Sequence, residues 1–350
     1  MPEIYALAAI IVVAIVAAVS LFLAGRQSAQ GTRAASAGRV AIIYNPSKPH
    51  DWQTILDRLA RATAERDLGE PLIYETTSDD PGAGQARDAL DDGADLVIAA
   101  GGDGTVRAVA GALAGTGTRM AILPLGTGNL FARNIDLPLD DVDAALAIAL
   151  DGQERPIDLG WLHDAAPGAD HREHPFLVIA GIGFDGEMVA ETDDGLKKTI
   201  GWFAYGVGAV KGMLVPRMDV TAEIDGGEVT VTQKARTMMI ANCGRLPAGI
   251  ALQPDAAIDD GWLDLVTVDT RGGLIGWATL GGKVVLRSLG IRRDAKVITS
   301  ALDYYRGHTF HITTSETAWV QVDGDLVSET NELSARVEHA ALVIRVPNRA

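Results

Sequence analysis

The residues of this chain best suited by type and spacing to do chemistry are Gly101-Gly102-Asp103-Gly104-Thr105. They follow an apolar run, residues 94–100, that reads as a buried parallel strand. They precede residues 106–113, where Val106, Val109, Ala110 and Leu113 fall on one helical face. A glycine-rich turn between strand and helix presents bare backbone N–H groups and the positive end of the helix dipole, which suits phosphate. Glycine lets the backbone approach closely, and Thr105 can cap the helix or bond a phosphate oxygen. Asp103 is the odd member, because a carboxylate beside phosphates is repulsive unless a cation lies between them. That combination points to a nucleotide–magnesium site. A tight turn with a capping Asp would use the same residues, so the pentapeptide alone leaves both readings open. Neither the dinucleotide fingerprint nor the Walker pattern with its Lys is present.

A second acidic group, Gln321-Val322-Asp323-Gly324-Asp325, follows a strand. Its glycine permits a sharp turn that can aim both carboxylates into a cleft. Close carboxylates push their pKa values apart, so one can accept a proton near neutral pH. An ordinary Asp-Gly hairpin has the same sequence and needs no catalysis.

The elements that must position these groups alternate at first. Strands are expected at 39–44, 71–77, 94–100 and 119–124, with helices at 50–66, 82–92, 106–113 and 141–150. That order implies an open parallel sheet with ligands at the strands' carboxyl ends. Three loops there are candidates for phosphate contact: Asn45-Pro46, Gly101 to Thr105, and Gly126-Thr127-Gly128-Asn129; Thr77 ends a strand on the same edge. Beyond residue 150 come strands at 157–163, 176–179, 218–224, 229–242, 263–268, 309–313 and 318–322, a mainly antiparallel β pattern. Helical insertions are read at 196–214 and 273–289, and a last strand at 341–346 is read as returning to the first sheet.

The fold class expected is α/β: an N-terminal transmembrane helix, a parallel-sheet nucleotide-binding domain, and a mainly antiparallel β-sandwich. The domains run 1–38 (anchor and linker), 39–135 with the strand at about 340–350, and 136–339. Residues 4–24 carry no charge and are long enough to span a bilayer, and arginines 26, 33 and 39 follow them. The expectation is a single-pass cell-membrane protein with cytoplasmic catalytic domains. The net charge of −16 argues against nucleic acid as a partner, and the single cysteine, Cys243, excludes an internal disulfide framework.

Asn45-Pro46, Gly101 to Thr105, the block Gly126-Thr-Gly-Asn-Leu-Phe-Ala-Arg133, Asp259-Asp260-Gly261 followed by Leu263, and Asp323-Gly324-Asp325 occur in one order over residues 38–350. The set resembles the diacylglycerol/lipid kinase family, related to sphingosine and NAD kinases. The resemblance implies Mg-ATP and a lipid with a free hydroxyl in the cleft between an α/β domain and a β-sandwich. It implies nucleotide contacts at Asn45, Thr77, Gly102 to Thr105 and Thr127, a magnesium site at Asp260 and the carbonyl of Trp262, and a general base on the turn Asp323 to Asp325. Here Asp325 is assigned as base, and Asp323 as the residue that orients the turn or helps hold a cation. The chain departs from the pattern at Ser47-Lys48-Pro49, at Val106-Arg107-Ala108 where Asn-Glu is common, at Leu130, and at Asp325 where Glu is usual. A lipid kinase is the leading reading; an NAD kinase and a membrane-tethered nucleotide- or lipid-binding protein without turnover are the alternatives. A homodimer is left open.

Overall fold

The structure, a computed structural model, describes residues 38–164, 173–184, 216–244, 256–270 and 300–348. Its first half is β1 (Val40–Tyr44), α1 (Trp52–Ala64), β2 (Leu72–Glu75), α2 (Ala83–Asp91), β3 (Leu96–Gly101), α3 (Asp103–Leu113), β4 (Arg119–Pro124), α4 (Leu130–Asn134) and α5 (Val142–Asp151). Then follow β5 (Gln153–Asp164), β6 (Glu173–Phe176), β7 (Ile179–Phe184), β8 (Met218–Ile224), β9 (Val229–Ala235), β10 (Thr237–Ala241), β11 (Leu263–Thr270), β12 (Ser300–Gly307), β13 (Thr309–Val322) and β14 (Asp325–Val346).

The first four strands lie parallel in the order β2-β1-β3-β4. β1 and β3 are buried along their whole length, as expected of strands covered on both faces. Ile55 and Leu59 of α1 pack with Ala145, Leu146 and Ala149 of α5 in one core cluster. Ala86 and Ala89 of α2 join Val109, Ala110 and Leu113 of α3 in another. β14 then pairs parallel with β4 at Val343 and Ile344, and antiparallel with β5 and β13. Its register breaks between Glu338 and Leu342, beside the left-handed Ala340. One strand therefore belongs to both the parallel and the antiparallel parts. The antiparallel strands close over a core that includes Phe176, Phe310, Ile312, Leu263 and Leu265.

Several expectations change; among them, the strands expected at 309–313 and 318–322 are the single strand β13. Among the described residues no helix is long and apolar enough to cross a membrane. The longest, α1, has 13 residues and rises only about 20 Å, against a hydrocarbon core of about 30 Å. The N-terminal transmembrane helix, and with it the single-pass membrane protein with cytoplasmic domains, is therefore corrected to a mixed α/β, sheet-rich fold. Residues 4–24, which carried that expectation, lie outside the described residues, as do the insertions at 196–214 and 273–289. The strand expected at 229–242 is two strands, because β9 pairs with β8 while β10 pairs with β7 and β11. α3 begins at Asp103 rather than after Thr105, so the last three residues of the glycine turn are helix.

Candidate active site

β3 and β4 end level, with Gly101 opposite Pro124. Gly102 caps α3 in extended geometry, and its carbonyl accepts from the N–H of Val106 at 3.1 Å. The loop after β4 lies directly on this turn: a Cβ on Gly126 would overlap the Cα of Gly102. The two glycine loops thus meet backbone to backbone. Asn129, buried and left-handed at φ 49°, ties its own loop. Its side-chain oxygen accepts from Gly126 N–H at 3.0 Å, and its amide donates to Gly126 O at 2.8 Å and Pro124 O at 3.3 Å. Asn129 is therefore occupied in shaping the loop.

Asp103 bridges the two loops. Its Oδ1 accepts from Leu130 N–H at 2.6 Å, capping α4, and its Oδ2 would stand 2.6 Å from a Cβ on Gly128. Burial, above all, pushes its carboxyl up to about 6; the charges of Asp323 and Asp325 add to the rise, and the N–H groups of Leu130 and Asn129 oppose it.

The neighbouring carboxylates sit on the β13–β14 hairpin, whose two-residue turn Asp323-Gly324 has positive φ at both positions (48° and 95°), as a type I′ turn requires. Asp323 is buried and accepts from the backbone N–H groups of Leu177, Val178 and Ile179, each at 2.9 Å. Burial raises its pKa, while those three bonds and the charge of Arg107 act in the other direction. Asp325 has 60% of its side chain exposed and pairs with Arg107 of α3 at 2.7 Å. Its Oδ2 lies 3.6 Å from where a Cβ on Gly104 would be. Asp103, Gly104 and Arg107 from α3 thus meet Asp323 and Asp325, more than two hundred residues away in sequence.

The other expected residues line the same edge. Asn45 Oδ1 accepts from Ser47 N–H at 2.9 Å, and Thr77 Oγ1 from Asp80 N–H at 3.1 Å. Thr105 is buried against Gly101, and Thr127 is exposed on its loop. His50 Nε2 meets Leu125 O at 2.9 Å, joining the loops after β1 and β4. The strand order reverses direction between β1 and β3, the switch point at which open α/β sheets form a ligand crevice. Sequence reading missed Asp80, whose carboxylate accepts from Gly82, Ala83 and Gly84 N–H at 3.0, 2.8 and 2.8 Å; an Asp just before a helix was the available signal.

Asp260 and Trp262 are placed otherwise. Asp260 is ion-paired with Arg306 and accepts from Trp262 N–H at 3.1 Å, while Asp259 pairs with Arg155 at 2.7 Å. No hydrogen bond or ion pair among the described residues joins this turn to Asp103, Asp323 or Asp325. No group of three or more His, Cys, Asp or Glu among the described residues is set to hold a metal. A magnesium ion shared with phosphates needs fewer, commonly one or two carboxylates with waters completing the shell. Burial and the charges of Asp323 and Asp325 raise the pKa of Asp103, whereas Asp260 is ion-paired with Arg306.

Comparison with known proteins shows the family. Residues 39–162 match the family described as "Diacylglycerol kinase catalytic domain", and residues 178–346 match "YegS C-terminal NAD kinase beta sandwich-like domain". A "Probable lipid kinase YegS-like" of Xanthomonas euvesicatoria is 33% identical over 256 residues, covering 68% of this chain and 79% of that protein. Its counterpart in Pseudomonas aeruginosa is 34% identical, covering 67% and 75%. Among solved structures, a diacylglycerol kinase of Bacillus anthracis superposes with a TM-score of 0.64 at 22% identity, over 88% of this chain and 96% of that one, a likeness of fold.

Proposed function

This chain belongs to the lipid kinase family of the diacylglycerol kinase type, and we propose that it transfers the γ-phosphoryl group of ATP to the hydroxyl of a lipid, with diacylglycerol as the acceptor. The observation that carries this reading is the meeting of Asp103, Asp325 and two bare glycine loops at one edge of the sheet. Phosphoryl transfer asks a protein mainly for positioning and charge stabilisation. The N–H groups of residues 102–105, 127 and 128 would supply donors at these loops, with Asn45, Thr77 and Thr127 along the same rim. Asp103 would hold magnesium, which when bound offsets the charge of the phosphates. Asp325, exposed and at the end of its turn, accepts the proton of the attacking hydroxyl. Asp323, with three backbone N–H bonds, orients that turn.

The test is incubation of the purified chain with γ-labelled ATP, magnesium and vesicles of phosphatidylcholine containing diacylglycerol. Label is expected in phosphatidic acid. Label in no lipid, across diacylglycerol, a long-chain base and a polyprenol, would overturn the reading; label in another of these would move the acceptor and keep the reaction.

A further inference from the structure

Arg107 lies on α3 one turn beyond Asp103, with its guanidinium reaching the β13–β14 hairpin. Its side chain is 17% exposed. Nη1 donates to the carbonyl of Val322 at 2.5 Å, and Nη2 to Oδ2 of Asp325 at 2.7 Å. Val322 and Asp325 are the paired residues that flank the turn, so a single planar fork grips both sides of it. A fork of fixed geometry adds direction as well as energy. On the opposite side, the amides of Leu177 to Ile179 hold Asp323. Within the hairpin, Gln321 Oε1 accepts from Gly324 N–H at 2.7 Å, and of these fastenings Arg107 is the one that reaches the exposed carboxylate. Both partners stand where the sequence departs from the resembled pattern: a long cation on α3 meets a carboxylate one carbon shorter than the usual Glu.

We infer that Arg107 is a positioning residue for phosphoryl transfer, fastening the Asp323–Asp325 turn to α3 and so fixing where Asp325 meets the acceptor hydroxyl. The inference rests on the kinase reading above. Lysine would carry the charge but, as a point donor without the planar fork, would grip one side of the turn less well than both.

The test compares the full chain with Arg107→Gln and Arg107→Lys. It reads steady-state kinetics on diacylglycerol micelles, ATP binding, and hydrogen exchange of the amides of residues 321–326. Arg107→Gln should lower kcat about 100-fold, the order expected of a misplaced catalytic group. ATP affinity should stay within about threefold, since the change acts on chemistry rather than on nucleotide binding. Protection of the turn should fall, and Arg107→Lys should lie between the two. Adding Asp325→Asn to Arg107→Gln should cost much less than Asp325→Asn alone, because the two act as a unit. Unchanged kcat, unchanged protection or full additivity would overturn the inference. If Arg107→Gln fails to fold, Arg107→Lys decides by the same criteria. A wild-type chain that phosphorylates no lipid defeats the kinase reading; the exchange measurement then still separates a fastened turn, which loses protection, from an unfastened one, which does not.

Discussion

Two Asp-Gly turns in this molecule look alike on paper and differ in charge balance. At Asp259-Asp260-Gly261, each carboxylate has an arginine, Arg155 and Arg306. At the other site one arginine, Arg107, pairs with Asp325 and acts on Asp323, beside Asp103. The first turn is also pinned from beneath: Asp158, fully buried, accepts from Gly261 N–H at 2.6 Å and Ala340 N–H at 2.8 Å and meets His339 Nδ1 at 2.7 Å. Arg306 also approaches the buried Asp264, Nε to Oδ1 at 3.5 Å. The second retains excess negative charge beside two glycine loops, which is where a cation with phosphates gains most. The two turns thus differ in their arginine partners, which come from distant parts of the chain.

The largest effect should come from breaking the second site. Asp325→Asn should lower kcat for lipid phosphorylation by about 10²- to 10⁴-fold, the range for loss of a general base, with ATP affinity nearly unchanged. If Asp325→Asn keeps near-normal kcat while Asp323→Asn abolishes it, the two roles are reversed. Asp323→Ala should act on stability instead. It would leave three buried N–H groups without acceptors, and loss of about 2–3 kcal/mol is expected in urea denaturation. An unaltered midpoint would show that the turn is held elsewhere.

A pH series sharpens the contrast. The carboxyl of Asp103 titrates at about 6 in the folded chain against 3.8 unfolded, so the folded state binds more protons between those values. The stability from this group is present below pH 3.8 and is lost as pH rises through 6. Asp103→Asn removes that loss. In chelator, the variant should match the parent near pH 4 and exceed it by roughly 2–3 kcal/mol at pH 7; parallel curves would contradict the buried, like-charged setting. The smallest effect belongs to the other turn, where Arg155→Ala breaks a pair with Asp259 whose side chains are 29% and 38% exposed. A change of about 1 kcal/mol or less is expected.

Much of this was legible in the sequence, and for physical reasons. The buried runs of β1 and β3 and the glycine turn between β3 and α3 are local signals, as is the Asp-Gly pair between β13 and β14. What was not legible is long-range. Arg107 lies 218 positions from Asp325 and Arg306 46 from Asp260, and nothing local announces either pairing. Asn129 carries the polar groups of a nucleotide ligand and spends them on its own loop, a choice made by its left-handed backbone and its burial.

The most direct test sets the two turns side by side. Turnover of ATP and diacylglycerol to phosphatidic acid should be measured for Asp103→Asn and Asp260→Asn at saturating magnesium, with folding checked by circular dichroism. Loss of a charge acting in a closed phosphate site costs about 10²- to 10³-fold, and that is expected of Asp103→Asn, with Asp260→Asn remaining within a few-fold of the parent. Near-normal turnover by Asp103→Asn together with an inactive Asp260→Asn would contradict the account.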